Sequence, residues 1–336
     1  MKNKIMAMLV AFGLVGSVSA VEINENLSIN GFIDGSISKT DNGSAIDTDP
    51  DTAGLQAGDE GNWGLDEIEV NFLFNVGSVS GAVHVDTNND DGTGDLDIEQ
   101  AHFTYTLDNG VSLTFGRYGS ALGLEREDPA GLYTYSRAYN DDFNLGNVDV
   151  HQREGLTISY AAEAWSLGLS IDNRSGALRT GGIGGGTKDE LDYEVALAYT
   201  GIENLSVGIG HSKENTSTGT KEVDITNINA TYQVGKALLG AEWSQRDTSA
   251  NGSTATEGDL DAHMFLVDYD VSDKLGVAVR YSSYEESASV DVDQITIAPN
   301  YAITESLGAI LEYSDVSHDT PDSDSDTIAL ELTYTF

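Results

Sequence analysis

The sequence predicts an all-β chain, a transmembrane antiparallel β-barrel of about 16 strands. Three observations predict it. Apolar and polar residues alternate with period two along almost the whole chain, which gives each strand one apolar face. The runs are about ten residues long, enough to cross a bilayer at a tilt. Short and long connections follow one another in turn, the rhythm of a barrel with tight turns at one rim and larger loops at the other.

The chain opens MKNKIMAMLVAFGLVGSVSA. Lys2 and Lys4 form a positive head, Met6 to Val15 an apolar stretch, and Val18-Ser19-Ala20 a small-residue cleavage site. Residues 1–20 therefore read as a secretory signal peptide, its apolar stretch too short to span a bilayer. Residues 21–336 read as a single barrel domain. No later stretch reaches the roughly 20 apolar residues of a membrane helix. There is no cysteine, so no disulfide framework holds the exported chain. Four prolines against 37 glycines suit many strands joined by turns. Acids number 56 against 16 bases, a net charge of −40. Phosphate would be repelled, which argues against nucleic acid as a partner.

Taken in order, Leu27, Ile29, Ile33 and Ile37 alternate with Ser28, Asn30, Asp34 and Ser36, predicting a strand over 27–38. Ile68, Val70, Phe72, Phe74 and Val76, set against Glu67, Glu69, Asn71 and Asn75, predict one over 65–77. Strands follow over 79–87, 96–107, 110–118 and 150–160. Trp165, Leu167, Leu169 and Ile171 mark 163–172, and Leu191, Tyr193, Val195, Leu197 and Tyr199 mark 189–200. Then come 203–212 and 222–234, and 236–246 with Ala237, Leu239, Ala241 and Trp243. The last five are 259–270, 273–284 with Leu275, Val277, Val279 and Tyr281, 290–301, 304–314 and 326–336. Tight turns fall at positions such as Gly77-Ser78, Asp108-Asn109-Gly110 and Gly235. Sandwich strands average about five or six residues, too short for this pattern. A calcium-binding solenoid would repeat its glycine motif many times, whereas GGIGGG at 181–186 occurs once.

The final run places Ile328, Leu330, Leu332 and Tyr334 at every second position before Phe336. It resembles the terminal strand that the outer-membrane assembly machinery recognises. Tyr160, Trp165, Tyr199, Tyr232, Trp243, Tyr269, Tyr301, Tyr313 and Tyr334 sit where strands meet turns, as rings of interfacial girdles do.

If the apolar faces meet lipid, the opposite faces line a lumen. The inward acids are then Asp34, Glu67, Glu69, Asp192, Glu194, Glu242, Glu312 and Glu331, and the inward bases Arg153 and Arg280. Acid-lined pores favour cations. DTNNDDGTGDLDIEQ (86–100) looks at first like a calcium loop, but Ile98 stands where a helix–loop–helix site needs its terminal Glu. It reads as an acidic external turn, able at most to bind calcium or magnesium loosely. No cofactor and no metal site is assigned. His84 and His102 fall on neighbouring strands where both can face the lumen. That admits a weak metal site, although polar lining is the simpler reading. None of the six histidines sits in a metal-binding helix motif or a nucleophile elbow, so no catalytic residue is assigned.

The connection over 119–149, GSALGLEREDPAGLYTYSRAYNDDFNLGNVD, is the longest and carries too many aromatic residues for comfortable disorder. FGRYGSALG (115–123) and REGLTISYAAEAW (153–165) flank it. With these segments the chain resembles the Gram-negative outer-membrane diffusion porins, whose third external loop folds into the barrel. The segment is also similar to OmpL-like β-barrel porins. The resemblance implies a constriction with Arg117 and Arg153 on the wall facing Glu125, Glu127 and Asp128 on the loop, with Arg126 and Arg137 also there. Arg117 lies in the register of Val111, Leu113 and Phe115, so a bulge at Gly116 is needed to turn it inward. It further implies a homotrimer in outer-membrane lipid and lipopolysaccharide, inserted by the assembly machinery and passing small hydrophilic solutes. The expected function is passive diffusion with a preference for cations, not catalysis. The alternatives are a channel specific for a sugar or similar solute, held by loop aromatics such as Tyr133, Tyr135 and Tyr139, or an outer-membrane barrel enzyme or adhesin.

Overall fold

A computed structural model of the chain describes residues 20–41, 59–88, 95–125, 128–140, 143, 145, 153–172, 191–215, 221–250, 258–287, 290–320 and 323–336. The expected leader, apart from Ala20, and GGIGGG lie outside them. Seventeen strands are formed: β1 (Val21–Asn24), β2 (Leu27–Asp41), β3 (Asp59–Val76), β4 (Val79–Asn88), β5 (Asp95–Thr106), β6 (Val111–Tyr118), β7 (Arg153–Ala161), β8 (Trp165–Asp172) and β9 (Asp192–Tyr199). They continue with β10 (Leu205–Asn215), β11 (Lys221–Val234), β12 (Ala237–Ala250), β13 (Gly258–Asp270), β14 (Leu275–Ser287), β15 (Val290–Ala302), β16 (Leu307–His318) and β17 (Ser325–Thr335). No helix among the described residues is long and apolar enough to cross a membrane.

From β2 onward each strand pairs antiparallel with the next, and β17 pairs back onto β2. The result is a closed barrel of 16 strands, the number expected, with the short β1 paired onto the start of β2. Closure satisfies the backbone without an edge, which a strand in lipid requires. The last residue joins the seam, where Phe336 N donates to Gly31 O at 3.0 Å and Gly31 N to Phe336 O at 3.1 Å.

The distribution of side chains is the inverse of a soluble protein's. In β8, Trp165, Leu167, Leu169 and Ile171 are exposed, while Ser166, Ser170 and Asp172 are buried. In β9, Asp192 and Glu194 are buried while Tyr193, Val195, Leu197 and Tyr199 are exposed. An apolar surface this extensive does not belong in water. It matches the lipid-facing band of a membrane barrel. All nine tyrosines and tryptophans expected in the girdles are on this outer face.

Several strands run further than the alternation predicts. β2 reaches Asp41, β3 starts at Asp59, β12 reaches Ala250 and β16 reaches His318. Alternation fades where the strands leave the apolar band, but ladder hydrogen bonds do not depend on side-chain polarity. The short turns fall where expected, with Gly77, Gly110 and Gly235 at positive φ of 65°, 86° and 59°.

Gly31 lies at the seam, tightly packed between β3 and the C-terminal ring. A Cβ there would lie 2.1 Å from Glu69 O and 2.9 Å from the Phe336 ring, whereas a Cβ at Gly308 would meet nothing within 4 Å. Gly31→Ala should therefore destabilise the barrel by about 1–3 kcal/mol, and Gly308→Ala should be near neutral. Denaturant midpoints of heat-modifiable gel migration compare the two directly.

Candidate functional site

The chain between β6 and β7 enters the barrel and binds the inward faces of strands far away in sequence. Residues 119–125 run first along β9, β11 and β12. Ser120 Oγ donates to Glu194 at 2.6 Å and Ala121 N to the other oxygen of the same carboxylate at 2.8 Å. Gly123 N reaches Asn227 Oδ1 at 3.4 Å, and Leu124 N donates to Glu242. Beyond a 3-10 turn at Pro129–Gly131, Tyr135 N and Ser136 N donate to Glu312 of β16 at 2.7 and 3.1 Å. Three acids expected simply to line a lumen thus hold the loop backbone. Each replaces water that the loop N–H groups lose on entering.

Arg280 of β14 is the centre of this attachment. Fully buried, it donates from Nη1 to Glu125 at 2.6 Å, Thr134 Oγ1 at 2.7 Å and Ser136 O at 2.7 Å. Its Nη2 donates to Ser136 Oγ and Arg137 O, each at 2.8 Å. Glu125 passes the connection back, accepting Ala138 N at 2.8 Å. A planar fork with five donors suits such a node.

Apolar contacts complete the attachment. Tyr139 and Phe143 pack with Leu260, Ala262 and Met264 of β13, and Leu122 and Leu145 with Ala196 and Ile225. These inward apolar residues on β9, β11 and β13 have no place in a water-filled wall, and the loop covers them.

Arg153 of β7 forms a second buried node. Its guanidinium meets Asp172 at 3.1 Å, Glu194 at 2.9 Å and Glu214 at 3.0 Å. Glu194 therefore joins the arginine to the loop. Tyr118 donates to or accepts from Ser170 at 2.8 Å beside this group. Neither Asp172 nor Glu214 was among the expected site residues. Asp172 was legible in the alternation of β8, whereas Glu214 lies beyond the point where β10 stops looking like a strand.

The remaining expected residues fall as follows. For Arg117 the expected bulge is absent: the ladder runs through Gly116 without a register shift and Arg117 stands opposite Ala101 and Glu154, with its side chain buried. Its guanidinium donates to Ile98 O at 2.7 Å. Gly116 at φ 132° bends the strand without changing its parity. Asp128 is buried and its carbonyl accepts Gly131 N at 2.8 Å. Arg137 is half-buried, and Arg126 and Glu127 lie outside the described residues. Asp34 accepts Thr333 Oγ1 at 2.8 Å and stands opposite half-buried Glu67. Asp192 accepts Asn215 N at 2.8 Å. Glu69 and Glu331 are buried. The rings of Tyr334 and Phe336 lie 6.1 Å apart.

Comparison with known proteins places this arrangement. The family model described as "Putative beta-barrel porin-2, OmpL-like" matches residues 26–336. Comparison with curated protein sequences gives no match. Among solved structures, the chain is similar to an anion-selective porin from Comamonas acidovorans, with 13% identity, 92% of this chain and 99% of that one covered, and a TM-score of 0.66. It is also similar to Salmonella typhi OmpF in complex with daunomycin, at 13% identity, 94% and 100% coverage and a TM-score of 0.66. A third is in-vitro folded OmpT of Vibrio cholerae in trimer form, at 13% identity, 92% and 99% coverage and a TM-score of 0.60.

Removing one partner of a buried ion pair costs about 3–5 kcal/mol. Arg280→Met should therefore release the loop while the strand ladder stays closed. Trypsin cleavage at Arg137, slow in the native barrel, should become rapid, with heat-modifiable migration retained.

Proposed function

The chain belongs to the OmpL-like β-barrel porin-2 family and is a porin-like outer-membrane β-barrel, and from that premise we propose that it is a passive diffusion channel preferring cations. The observation that carries the sign is the composition of the inner wall. Among the described strand residues, 11 buried acids stand against three buried arginines. Two of those arginines are already neutralised, Arg153 by Asp172, Glu194 and Glu214 and Arg280 by Glu125. The third, Arg117, keeps the outward register. Fixed negative charge in a narrow, low-dielectric passage raises the local cation concentration. The barrel shared with the Comamonas porin leaves the sign of selectivity to the side chains, so the inner charge of this chain decides it.

Solutes are sorted first by size, at the passage left between the inward loop and the wall, and then by charge. Likeness to an outer-membrane protein solved in a trimer form supports three barrels side by side in lipid beneath lipopolysaccharide. The leader over 1–20 and the terminal Phe336 support export and insertion by the assembly machinery. Nothing in the reading calls for a cofactor, an energy source or a bond-making step. Two of the three loop tyrosines favour a general over a solute-specific channel, while Tyr133 is exposed. Tyr139 is buried against Phe143 and Tyr284, and the Tyr135 hydroxyl meets Ser36 at 3.2 Å. Both are occupied by the wall instead of presented to a sugar.

Planar-bilayer recording tests this. A KCl gradient across the reconstituted protein should give a reversal potential of the cation-selective sign, reduced at high ionic strength as charges are screened. Glu67→Gln should shift it modestly toward zero. Anion preference would overturn the charge argument, and absence of conductance the channel itself.

A further inference from the structure

A second inward cluster lies on β3, β4 and β5. Glu69 on β3, His84 on β4 and Glu99 on β5 bring one ligand atom each within 4.8 Å of the others, all three side chains buried. The strands put them there by two devices. His84 shares the inward stripe of β4 with Ala82 and Asp86, and Glu69 stands opposite Asp86 across the ladder. The third ligand comes from a bulge. His84 pairs with Gln100 and Val85 with Ile98, so Glu99 is an extra residue on β5. Both Glu99 and Gln100 are buried; the bulge adds a carboxylate to a wall that regular alternation would have given only one residue.

The distances discriminate between roles. His84 Nδ1 is 3.8 Å from Glu69 Oε1 and 3.6 Å from Glu99 Oε2. Both exceed a hydrogen bond. They are close to the edge of about 3.4 Å between ligands of a tetrahedral ion with bonds of about 2.1 Å. Glu69 is fully buried, and its Oε2 has no hydrogen-bond partner among the described residues. Asp128 and Asp86 act on it as negative charges, and Asn71 and Glu99 as hydrogen-bond partners. A buried carboxylate so surrounded is stabilised either by a proton shared with its neighbour or by a bound cation.

We propose that Glu69, His84 and Glu99 bind a divalent first-row transition ion of the zinc type, one per barrel, on the lumen wall. An imidazole with two carboxylates suits zinc and its neighbours, whereas calcium and magnesium take oxygen ligands alone. Asn71 Nδ2, donating to Glu69 Oε1, orients that ligand from behind, as outer-shell partners do. The fourth position faces the lumen and takes water or a passing solute.

The test uses the full chain folded in detergent micelles, stripped with EDTA and dialysed, then titrated with ZnCl2 by calorimetry and assayed for metal content. One tightly held zinc per protomer is expected, lost or weakened more than about 100-fold in His84→Gln and in Glu99→Gln, with His318→Gln binding as the native chain does. Cobalt added to the native protein should give the intense visible bands of four-coordinate Co2+, a readout that needs no variant to fold. Heat-modifiable migration confirms which variants are closed. No stoichiometric zinc on the folded native barrel, or binding unchanged in both variants, would overturn the site. Equal competition by excess calcium would overturn the part assigned to His84.

Discussion

A strand in hydrocarbon must pair every backbone N–H and C=O with another strand, because lipid offers no partner. The seam between β17 and β2 is where this chain meets that demand, with ten paired positions from Asp326 opposite Asp41 to Thr335 opposite Phe32. Once closed, the barrel leaves each strand side chain only two destinations, lipid or lumen. A slip of one residue would exchange the two over a whole strand. The acids of β9, β12, β16 and β17 are inside because Val195, Trp243, Leu311 and Leu330, one place along from them, are outside.

Sending so many carboxylates inward creates the next problem, which the chain solves mainly without lysine. Glu194, Glu242 and Glu312 are satisfied by backbone N–H groups of the inward loop, and Arg153 and Arg280 absorb the acids nearest them. Backbone dipoles and a guanidinium fork are weakly hydrated donors that suit a confined wall. The lumen is therefore divided. The sector from β7 to β16 is hydrogen-bonded by the loop and partly offset by two arginines. The β3–β5 wall keeps Glu69, Asp86 and Glu99 together, and loop residue Asp128 adds to their negative field.

Alternation made the barrel, its strand number and the two faces legible, because period two directly reports which side of a sheet a residue takes. It could not show bulges. Asp66 and Glu99 are extra residues on β3 and β5, and nothing in their side chains marks them. Gly116 carried the opposite lesson: a glycine placed where a bulge was expected leaves the register unshifted, and Arg117 is buried while keeping the parity of Phe115. The short β1 was missed because VEIN is too brief to alternate.

Contacts across the lumen were illegible for a different reason. Arg280 and Ser136 are separated by 144 residues, and Tyr135 and Glu312 by 177; no local pattern joins them. Their inward direction was readable, but their occupation by the loop was not. This difference sorts the inner wall into two kinds of acid. Glu67, half-buried opposite Asp34, can be exchanged without unpairing the loop N–H groups that Glu194, Glu242 and Glu312 accept. Glu312 cannot, because two loop N–H groups would be left unpaired in a site from which water has been displaced. The charge that selects ions and the charge that shapes the passage thus come from one set of inward residues, and the loop decides which residue does which.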